Sequence, residues 1–301
     1  MDRTHVVTAG GTRAVVDEVG AVLRAFDVDG VAHTETTDPG APPPMGAGSV
    51  LVPWPNRTAG ARWRWRGAVQ ELEVTEPARG HAIHGLLRRV GWTVTEAAAD
   101  QVTLRAEIDA GAGWPEPLTT TTTYAVTPGA LTVTHTATAT GGEVPVGLGA
   151  HPYLRAGAAD LDDCVLTVAT ATVLEVDDAL IPTGPARPVS GAEDLRGGRR
   201  VADLDLDTGF GADPARGAVL GELRAPDGTT TRLWADPAFG WVQAFTPGAF
   251  PAREGERRAV AVEPMTCPPD ALNSGVDLRV LAPGETWTVQ WGIEALRAPG
   301  A

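Results

Sequence analysis

The histidine at position 151 lies in a segment, Gly-Leu-Gly-Ala-His-Pro, where little bulk surrounds the imidazole. Gly147 and Gly149 precede it, and Pro152 restricts the backbone directly after it. The unperturbed pKa of histidine is about 6.5, so this side chain can donate or accept a proton near neutral pH. We therefore predict that His151 is a general acid. The alternative is a histidine that is hydrogen-bonded within a turn.

Glu263 follows an apolar run, Ala-Val-Ala-Val, and is followed by a turn rich in proline. A carboxylate at the end of a buried strand is poorly solvated, and poor solvation raises its pKa toward the range of a useful base. We predict that Glu263 is the general base that accompanies His151. A structural carboxylate paired with an arginine is the alternative. Asp270 and Asn273, farther along the turn, are expected to brace Glu263.

Two further histidines, His81 and His84, are three residues apart. On an extended strand this odd spacing sends the two side chains to opposite faces, so one pocket can take only one of them. We choose His84, which precedes the flexible Gly85, and expect His81 to lie behind the site or on the surface. A metal site would need both histidines together with His151 and a carboxylate, and we predict none.

Two more polar segments could bind a ligand. Asn56 and Arg57 follow Pro-Trp-Pro, and Asp207 lies in the segment Leu-Asp-Thr-Gly-Phe. An aspartate between apolar residues can accept hydrogen bonds from neighbouring hydroxyl groups. Either segment could equally contribute ordinary surface ions, so their interest depends on their occurring together with His151 and Glu263.

The elements that must position these residues have the pattern of β-strands. Strict alternation at 62–66 places two tryptophans on one face and three arginines on the other, and residues 118–139 have the pattern of a hairpin around Pro128-Gly129. No window has the capped, three-turn apolar stripe of an amphipathic helix. We predict one all-β domain over residues 1–301, a sandwich or barrel. Similar strand patterns occur at 164–176, 241–246, 258–263 and 286–294.

Composition excludes several classes of protein. All 24 basic residues are arginine, and Schiff-base aldolases, pyridoxal-phosphate enzymes, Walker A sites and protein kinases each need a particular lysine. A net charge of −14 disfavours binding to nucleic acid or to an anionic membrane. Cys164 and Cys267 form no Cys-x-x-Cys pair, and no signal peptide or long apolar span is evident. We expect a cytoplasmic protein.

Five motifs occur in a characteristic order: Asn-Arg at 56–57, Ile-His-Gly-Leu at 83–86, Gly-Ala-His-Pro-Tyr-Leu at 149–154, Leu-Asp-Thr-Gly-Phe at 206–210, and Val-Glu-Pro-Met-Thr-Cys-Pro-Pro-Asp-Ala-Leu-Asn at 262–273. This set resembles the aldose 1-epimerase (galactose mutarotase-like) family. The resemblance implies a large antiparallel β-sandwich with an open cleft. It also implies that the protein interconverts the α and β anomers of a free aldose such as glucose or galactose, without a cofactor.

The resemblance implies a role for each matched residue. Glu263 looks like the base that removes the proton of the C1 hydroxyl, and His151 looks like the acid that protonates the ring oxygen. By similarity, Arg57 and His84 would hold sugar oxygens, and Asp207 would accept protons of sugar hydroxyls. The expected partner is a small sugar, and the chain could be a monomer or a homodimer.

Three alternatives stay open. Arg88 and Arg89, which follow His-Gly-Leu-Leu, are similar to the arginines that contact phosphate in the hexose-6-phosphate branch of the same superfamily. Nine tryptophans would suit a non-catalytic carbohydrate-binding module. A retaining glycosidase would need two carboxyl groups about 5–5.5 Å apart, and Asp207 and Glu263 are the credible pair.

Overall fold

Two antiparallel sheets share one hydrophobic core, as the alternating sequence patterns predict. The computed structural model describes residues 3–253 and 255–296, and within these residues the larger sheet has nine strands and the smaller, here called the cleft sheet, has seven. The strands of the larger sheet are, in spatial order, Thr93–Ala97, Gln101–Ile108, Leu118–Thr127, Ala130–Ala139, Thr286–Leu296, Thr230–Ala235, Val219–Arg224, Val165–Val168 and Arg199–Arg200. Those of the cleft sheet are Arg187–Pro188, Thr170–Val173, Asp207–Ala212, Trp241–Phe245, Ala261–Met265, Gly149–Ala150 and Val50–Leu51.

Smaller sheets surround this sandwich. A four-stranded sheet near the beginning of the chain contains Thr4–Ala9, Thr12–Asp17, Leu23–Val28 and Val31–Ala32. Four two-stranded pairs complete the strands of the described residues: Arg57–Thr58 with Ala82–Ile83, Arg62–Trp65 with Ala68–Glu71, Val144–Val146 with Arg279–Leu281, and Phe250–Ala252 with Gly255–Arg257.

Helix is scarce, which confirms the all-β class. Within residues 3–253 and 255–296 there is one α-helix of a single turn, Ala271–Ser274. No helix in this part of the chain is long and apolar enough to cross a membrane. The remaining helical turns are 3₁₀: Pro44–Gly46, Ala59–Ala61, Leu161–Asp163, Gly191–Glu193, Val201–Asp203 and Pro214–Arg216.

The hairpin predicted at 118–139 forms as expected. Leu118 pairs with Ala139 and Thr127 pairs with Ala130, so the turn falls at Pro128-Gly129. Buried residues alternate with less buried ones along both strands, because one face, which includes Thr120 and Thr122, packs inward while the other consists mostly of threonines.

One predicted strand is in fact two. The pattern at 164–176 divides into Val165–Val168, which belongs to the larger sheet, and Thr170–Val173, which belongs to the cleft sheet. The chain therefore passes between the two sheets at Ala169. Local propensity favours extended backbone on both sides of this point, and only the packing of the two sheets decides where the chain changes partner.

Candidate active site

The side chains of strand Ala261–Met265 alternate between the two faces of the cleft sheet. Glu263 lies on the outer face, which is the face opposite the main core. All five residues of this strand are buried, so both of its faces are covered. Val262 packs into the main core. Ala261 and Met265 pack into two separate small clusters on the opposite face, and Glu263 lies between them on that face.

The strand register shows which residues of the neighbouring strands share the outer face with Glu263. Gln243 pairs with Glu263, and Gly209 pairs with Gln243, so these three positions form one row of the outer face. Asp207, two residues before Gly209, occupies the next row beside Phe245. Because Gly209 has no side chain, Gln243 can turn along the face, where its Nε2 donates to Oδ1 of Asp207 at 2.7 Å.

His151 reaches Glu263 from the strand Gly149–Ala150. Gly149 pairs with Met265 in this sheet, and a Cβ atom at Gly149 would lie 2.9 Å from Cβ of Pro55 and 3.0 Å from the Pro264 carbonyl oxygen, so only glycine fits. The imidazole of His151 stacks on the ring of Tyr153 at a centroid distance of 5.1 Å. Its Nε2 lies 3.4 Å from Oε1 of Glu263, and both side chains are buried.

A reciprocal pair of hydrogen bonds holds His84 against Asn56. The His84 backbone N–H donates to the Asn56 carbonyl at 2.9 Å, and the Asn56 backbone N–H donates to Nδ1 of His84 at 3.1 Å. Both residues have left-handed backbone, with φ of 56° at Asn56 and 63° at His84. Such conformations are costly for residues other than glycine and are common at functional sites. Because Nδ1 accepts a hydrogen bond, the neutral ring carries its proton on Nε2.

Arg57 and Asp207 belong to one polar network. Arg57 donates two hydrogen bonds to the carboxylate of Glu76, from Nε at 2.9 Å and from Nη2 at 3.0 Å, and its Nη2 lies 4.0 Å from Asp207. The Asn56 side chain donates to Oε1 of Gln243 at 3.3 Å, and Gln243 in turn donates to Asp207. The guanidinium is thereby held in a fixed orientation beside the histidines and Glu263.

These groups surround a cleft with a volume of about 400 Å³, which lies in the usual size range of small-molecule sites. The residues of the described chain that line it include no tryptophan, and they are Met45, Gly46, Asn56, Arg57, Thr75, Glu76, Arg79, Ile83, His84, Arg88, Arg89, His151, Asp207, Gln243, Phe245 and Glu263. Six of the nine tryptophans are buried instead: Trp54, Trp63, Trp92, Trp114, Trp241 and Trp291.

Burial shifts the pKa values of Glu263, His151 and His84. It raises the pKa of Glu263 well above its ordinary value, Asp207 raises it further, and Arg57 lowers it. Burial lowers the pKa of His151 to about 3. Burial and the neighbouring His151 also hold the pKa of His84 well below its ordinary value. Desolvation penalises the charged forms of both His151 and Glu263, so it favours neutral His151 and protonated Glu263.

His84, His151 and Glu263 also lie close enough to bind a metal, since one potential ligand atom of each falls within 4.8 Å of the others. The tautomer of His84 argues against such a site. Its Nδ1 is occupied by the Asn56 N–H, so the proton lies on Nε2 and leaves no lone pair there for a metal. His151 and Glu263 then remain, which is fewer than the three protein ligands of typical catalytic zinc sites.

All five predicted site residues, Arg57, His84, His151, Asp207 and Glu263, line this cleft, and Arg88 and Arg89 line it as well. Their chemical roles stay predictions. His81 does not line the cleft. Its side chain is buried, and its Nδ1 accepts the backbone N–H of Gly60.

The prediction that Asp270 and Asn273 brace Glu263 was wrong. Both are turn residues, but they brace the segment after Arg57 rather than Glu263. The Asp270 backbone N–H donates to the Arg57 carbonyl, its carboxylate accepts the Ala59 N–H, and Asn273 donates to the Arg62 carbonyl. The segments 57–62 and 270–273 meet only through folding, so the sequence offered no sign of this contact.

Sequence reasoning missed Gln243 and Glu76. Gln243 could have been found, because it is the polar residue on the face that Trp241 and Phe245 share in an otherwise apolar strand. Glu76 lies in a polar loop, and nothing in its local sequence sets it apart from other surface carboxylates.

A family model described as Aldose 1-epimerase matches residues 3–294 of this chain. The uncharacterized protein YihR of Escherichia coli (strain K12) is 29% identical over 286 residues, which cover 94% of this chain and 90% of YihR. Galactose mutarotase of Rattus norvegicus is 34% identical over 157 residues, which cover 50% of this chain and 45% of that protein, so the match spans about half of its length.

Solved structures show the same fold. The GalM/aldose epimerase homologue from C. elegans superimposes with a TM-score of 0.85 at 18% identity, and the match covers 98% of this chain and 100% of that one. Galactose 1-epimerase from Lactobacillus acidophilus NCFM superimposes with a TM-score of 0.79 at 16% identity, covering 97% and 93% of the two chains. The large antiparallel β-sandwich is thus confirmed as galactose mutarotase-like.

Proposed function

The chain belongs to the aldose 1-epimerase family, and from this premise we propose that it interconverts the α and β anomers of an aldose by acid–base opening and reclosure of the sugar ring. The observation that carries the proposal is the distance of 3.4 Å between Nε2 of His151 and Oε1 of Glu263, both buried at the cleft. Anomerisation needs one group that takes a proton and one that gives a proton at the same carbon centre.

In the first half of the reaction, ionised Glu263 removes the proton of the C1 hydroxyl. The electron pair of the O1–H bond forms the C1 carbonyl, the C1–O5 bond breaks, and protonated His151 gives its proton to O5. The open aldehyde rotates about the C1–C2 bond. In the second half, Glu263 returns its proton to the carbonyl oxygen while neutral His151 takes the proton of the O5 hydroxyl, which attacks the other face of C1.

Glu263 and His151 can catalyse both ring opening and ring closure if they share one proton. With the proton on His151 the pair is ready to open the ring, and with the proton on Glu263 it is ready to close it. Burial favours the neutral arrangement, in which Glu263 holds the proton. Arg57, which lowers the pKa of Glu263, favours the ionised carboxylate that the opening step requires.

The other cleft residues are suited to positioning. The Nε2–H of His84 is available as a donor, and the carboxylate of Asp207 is fixed by Gln243 and can accept the protons of sugar hydroxyls. Arg57 is held by Glu76 and can donate to a sugar oxygen. Groups fixed in this way lower the entropy cost of orienting C1 toward the acid and the base.

The test is the decay of optical rotation of freshly dissolved α-D-glucose and α-D-galactose in a buffer that catalyses mutarotation poorly. We expect the protein to accelerate the decay and Glu263→Gln to lower kcat by about 10²–10⁴-fold. The matched control is Glu71→Gln, which removes a carboxylate from an exposed ion pair with Arg62 and should retain full activity. A Glu263→Gln variant as active as Glu71→Gln would overturn the assignment of the base.

The same measurement of optical rotation distinguishes a 1-epimerase from a protein that binds sugar without turnover. A carbohydrate-binding module would bind glucose and leave the decay of optical rotation unchanged. Its stacking platform would be expected to contain exposed tryptophan, whereas the described residues that line the cleft contain none.

A further inference from the structure

The buried Nδ1 of His151 has no hydrogen-bond partner among the described residues. A histidine that transfers protons is usually oriented by a hydrogen bond to its second ring nitrogen, which here is Nδ1 because Nε2 faces Glu263 at 3.4 Å. The backbone of His151 is fixed, since its N–H donates to the Ser49 carbonyl at 3.1 Å and its carbonyl accepts the Gly48 N–H at 2.9 Å. These bonds do not restrict rotation of the side chain, so the orientation of the imidazole depends on its packing.

Three groups enclose the imidazole of His151. The ring of Tyr153 covers its face, with an angle of 14° between the two planes and a centroid distance of 5.1 Å, and such stacking is favourable. The His84 ring meets it edge-on at 5.3 Å and 73°. A Cβ atom at Gly46 would lie 3.2 Å from Cδ2 of the imidazole and 3.5 Å from Nε2, so the backbone of Gly46 packs against that edge. Rotation of the imidazole would therefore break its stacking contact with Tyr153.

Tyr153 is itself held in place. Its ring packs on that of Phe250 at a centroid distance of 4.7 Å, and its carbonyl accepts the Glu35 N–H at 2.9 Å. Tyr153 also forms a β-bridge with Ala261, which is the first residue of the strand that carries Glu263. One strand therefore holds both the predicted base and the aromatic ring that packs on the predicted acid, and this fixes the position of the acid relative to the base.

The hydroxyl group of Tyr153 is not suited to proton transfer. Burial raises its pKa, and the neighbouring Glu263 raises it further, so the hydroxyl stays protonated. Tyr153 is not among the described residues that line the cleft. Its hydroxyl donates to the Met45 carbonyl at 3.4 Å, which is long for a bond between two oxygens. The contribution of Tyr153 to the site is therefore its ring.

We propose that Tyr153 is a positioning residue, whose ring holds the imidazole of His151 with Nε2 toward Glu263 by stacking instead of by a hydrogen bond to Nδ1. This inference rests on the proposed 1-epimerase activity, because the orientation of the imidazole affects turnover only if His151 exchanges a proton with the sugar. The tyrosine ring carries no net charge, so it orients the imidazole without forming an ion pair with its protonated form. Tyr153 acts through His151 and does not contact the sugar.

The experiment compares the two tyrosines of the chain, Tyr124 and Tyr153, which are both 1% exposed. Polarimetry gives kcat and KM for each variant. We expect Tyr153→Leu to lower kcat by about 10- to 100-fold with little change in KM, because displacing a catalytic group by about 1 Å can cost about 10²-fold. Tyr153→Phe keeps the ring and should retain the wild-type kcat. Tyr124→Leu removes a buried ring from the larger sheet and should also keep the wild-type kcat while the protein is folded.

Two kinetic results would overturn the proposal. One is an equal kcat in Tyr153→Leu and Tyr124→Leu. The other is a loss in Tyr153→Phe as large as that in Tyr153→Leu, because it would assign the role to the hydroxyl. If Tyr153→Leu does not fold, Phe250→Leu takes its place, since it keeps Tyr153 and removes the ring that supports it. Phe250→Leu should lower kcat by a smaller factor with little change in KM, and a wild-type kcat in this variant would contradict the proposal.

Crystal structures of the variants keep the two proposals apart, because they show the imidazole whether or not the protein turns over a sugar. In Tyr153→Phe the distance between Nε2 of His151 and Oε1 of Glu263 should stay near 3.4 Å, and in Tyr153→Leu the imidazole should turn away from Glu263. An unmoved imidazole in Tyr153→Leu would overturn the proposal. A displaced imidazole, together with a wild-type protein that accelerates no anomerisation, would support the stacking role and contradict the 1-epimerase activity.

Discussion

Nε2 of His151 lies 3.4 Å from Oε1 of Glu263, and the two side chains reach this distance from neighbouring strands of the cleft sheet. Gly149–Ala150 presents the imidazole immediately after its last residue, whereas Glu263 is the central residue of Ala261–Met265. Because both groups are buried beside each other, each changes the cost of ionising its neighbour, and their protonation is a property of the pair.

The pH dependence of kcat/KM should reflect this shared proton. The pKa of His151 is lowered to about 3 and that of Glu263 is raised, so the pair of the free enzyme holds one proton between these two limits. A second proton binds as the pH falls toward about 3, and the last proton leaves as the pH rises through the raised pKa of Glu263. We expect a plateau that ends in a decline on the alkaline side, because a pair without a proton has no acid.

Polarimetry across a pH series of weakly catalysing buffers measures this profile, with the rate of Glu263→Gln subtracted at each pH as the background. The apparent pKa values of the two limbs belong to the pair as a whole. An enzymatic rate that continues to increase throughout the alkaline range would contradict the shared-proton mechanism.

Replacing Glu263 by glutamine should stabilise the protein at neutral and alkaline pH. The pKa of Glu263 is raised in the folded state, so its contribution to stability is fully present below the unfolded pKa of 4.5 and is lost as the pH rises through the folded value. Glutamine cannot ionise and avoids this loss. The excess in Tm of Glu263→Gln over the wild type should therefore be smallest near pH 4 and increase with pH.

Thermal unfolding of the two proteins at matched pH values tests this expectation, and Glu71→Gln again serves as the control for loss of an exposed carboxylate. Melting temperatures that differ by the same amount at every pH would show that ionisation of Glu263 does not oppose folding.

Gly85→Ala should impair both stability and activity. Gly85 has a φ of 71°, and a Cβ atom there would lie 2.0 Å from the carbonyl oxygen of Val52. The left-handed conformation and the clash together should cost about 2–4 kcal/mol of unfolding free energy. Because Gly85 directly follows His84, relief of the clash should also displace that imidazole and lower kcat/KM.

Gly80→Ala is the matched control. Gly80 has a similar φ of 74°, but a Cβ atom there meets nothing within 4 Å. Gly80→Ala should therefore lower the free energy of unfolding by only about 1–2 kcal/mol, because of its left-handed backbone conformation, and it should leave kcat/KM unchanged. Denaturant unfolding and polarimetry on both variants compare the two positions. Equal destabilisation in the two variants would mean that the contact with Val52 does not constrain the His84 segment.

The sequence by itself determined the class of the fold and the chemistry available to it. Alternation of residue type specifies extended strands, as in the hairpin 118–139, because the side chains of a strand alternate between two faces. The same rule places Glu263 on the face opposite Val262. The absence of lysine removed whole classes of enzyme, and the five motifs supplied every residue of the predicted site.

Only the tertiary structure decided which of these residues meet. Pairing of Gly149 with Met265 brings His151 to Glu263, and the order of the strands brings Asp207 and Gln243 beside them. Glu76 enters the cleft on a loop whose local sequence does not distinguish it from other surface carboxylates. The physical reason is that strand order and burial depend on how both sheets pack over the whole core. Burial in turn sets the pKa values, so residue type names the acid and the base while the fold determines when each holds its proton.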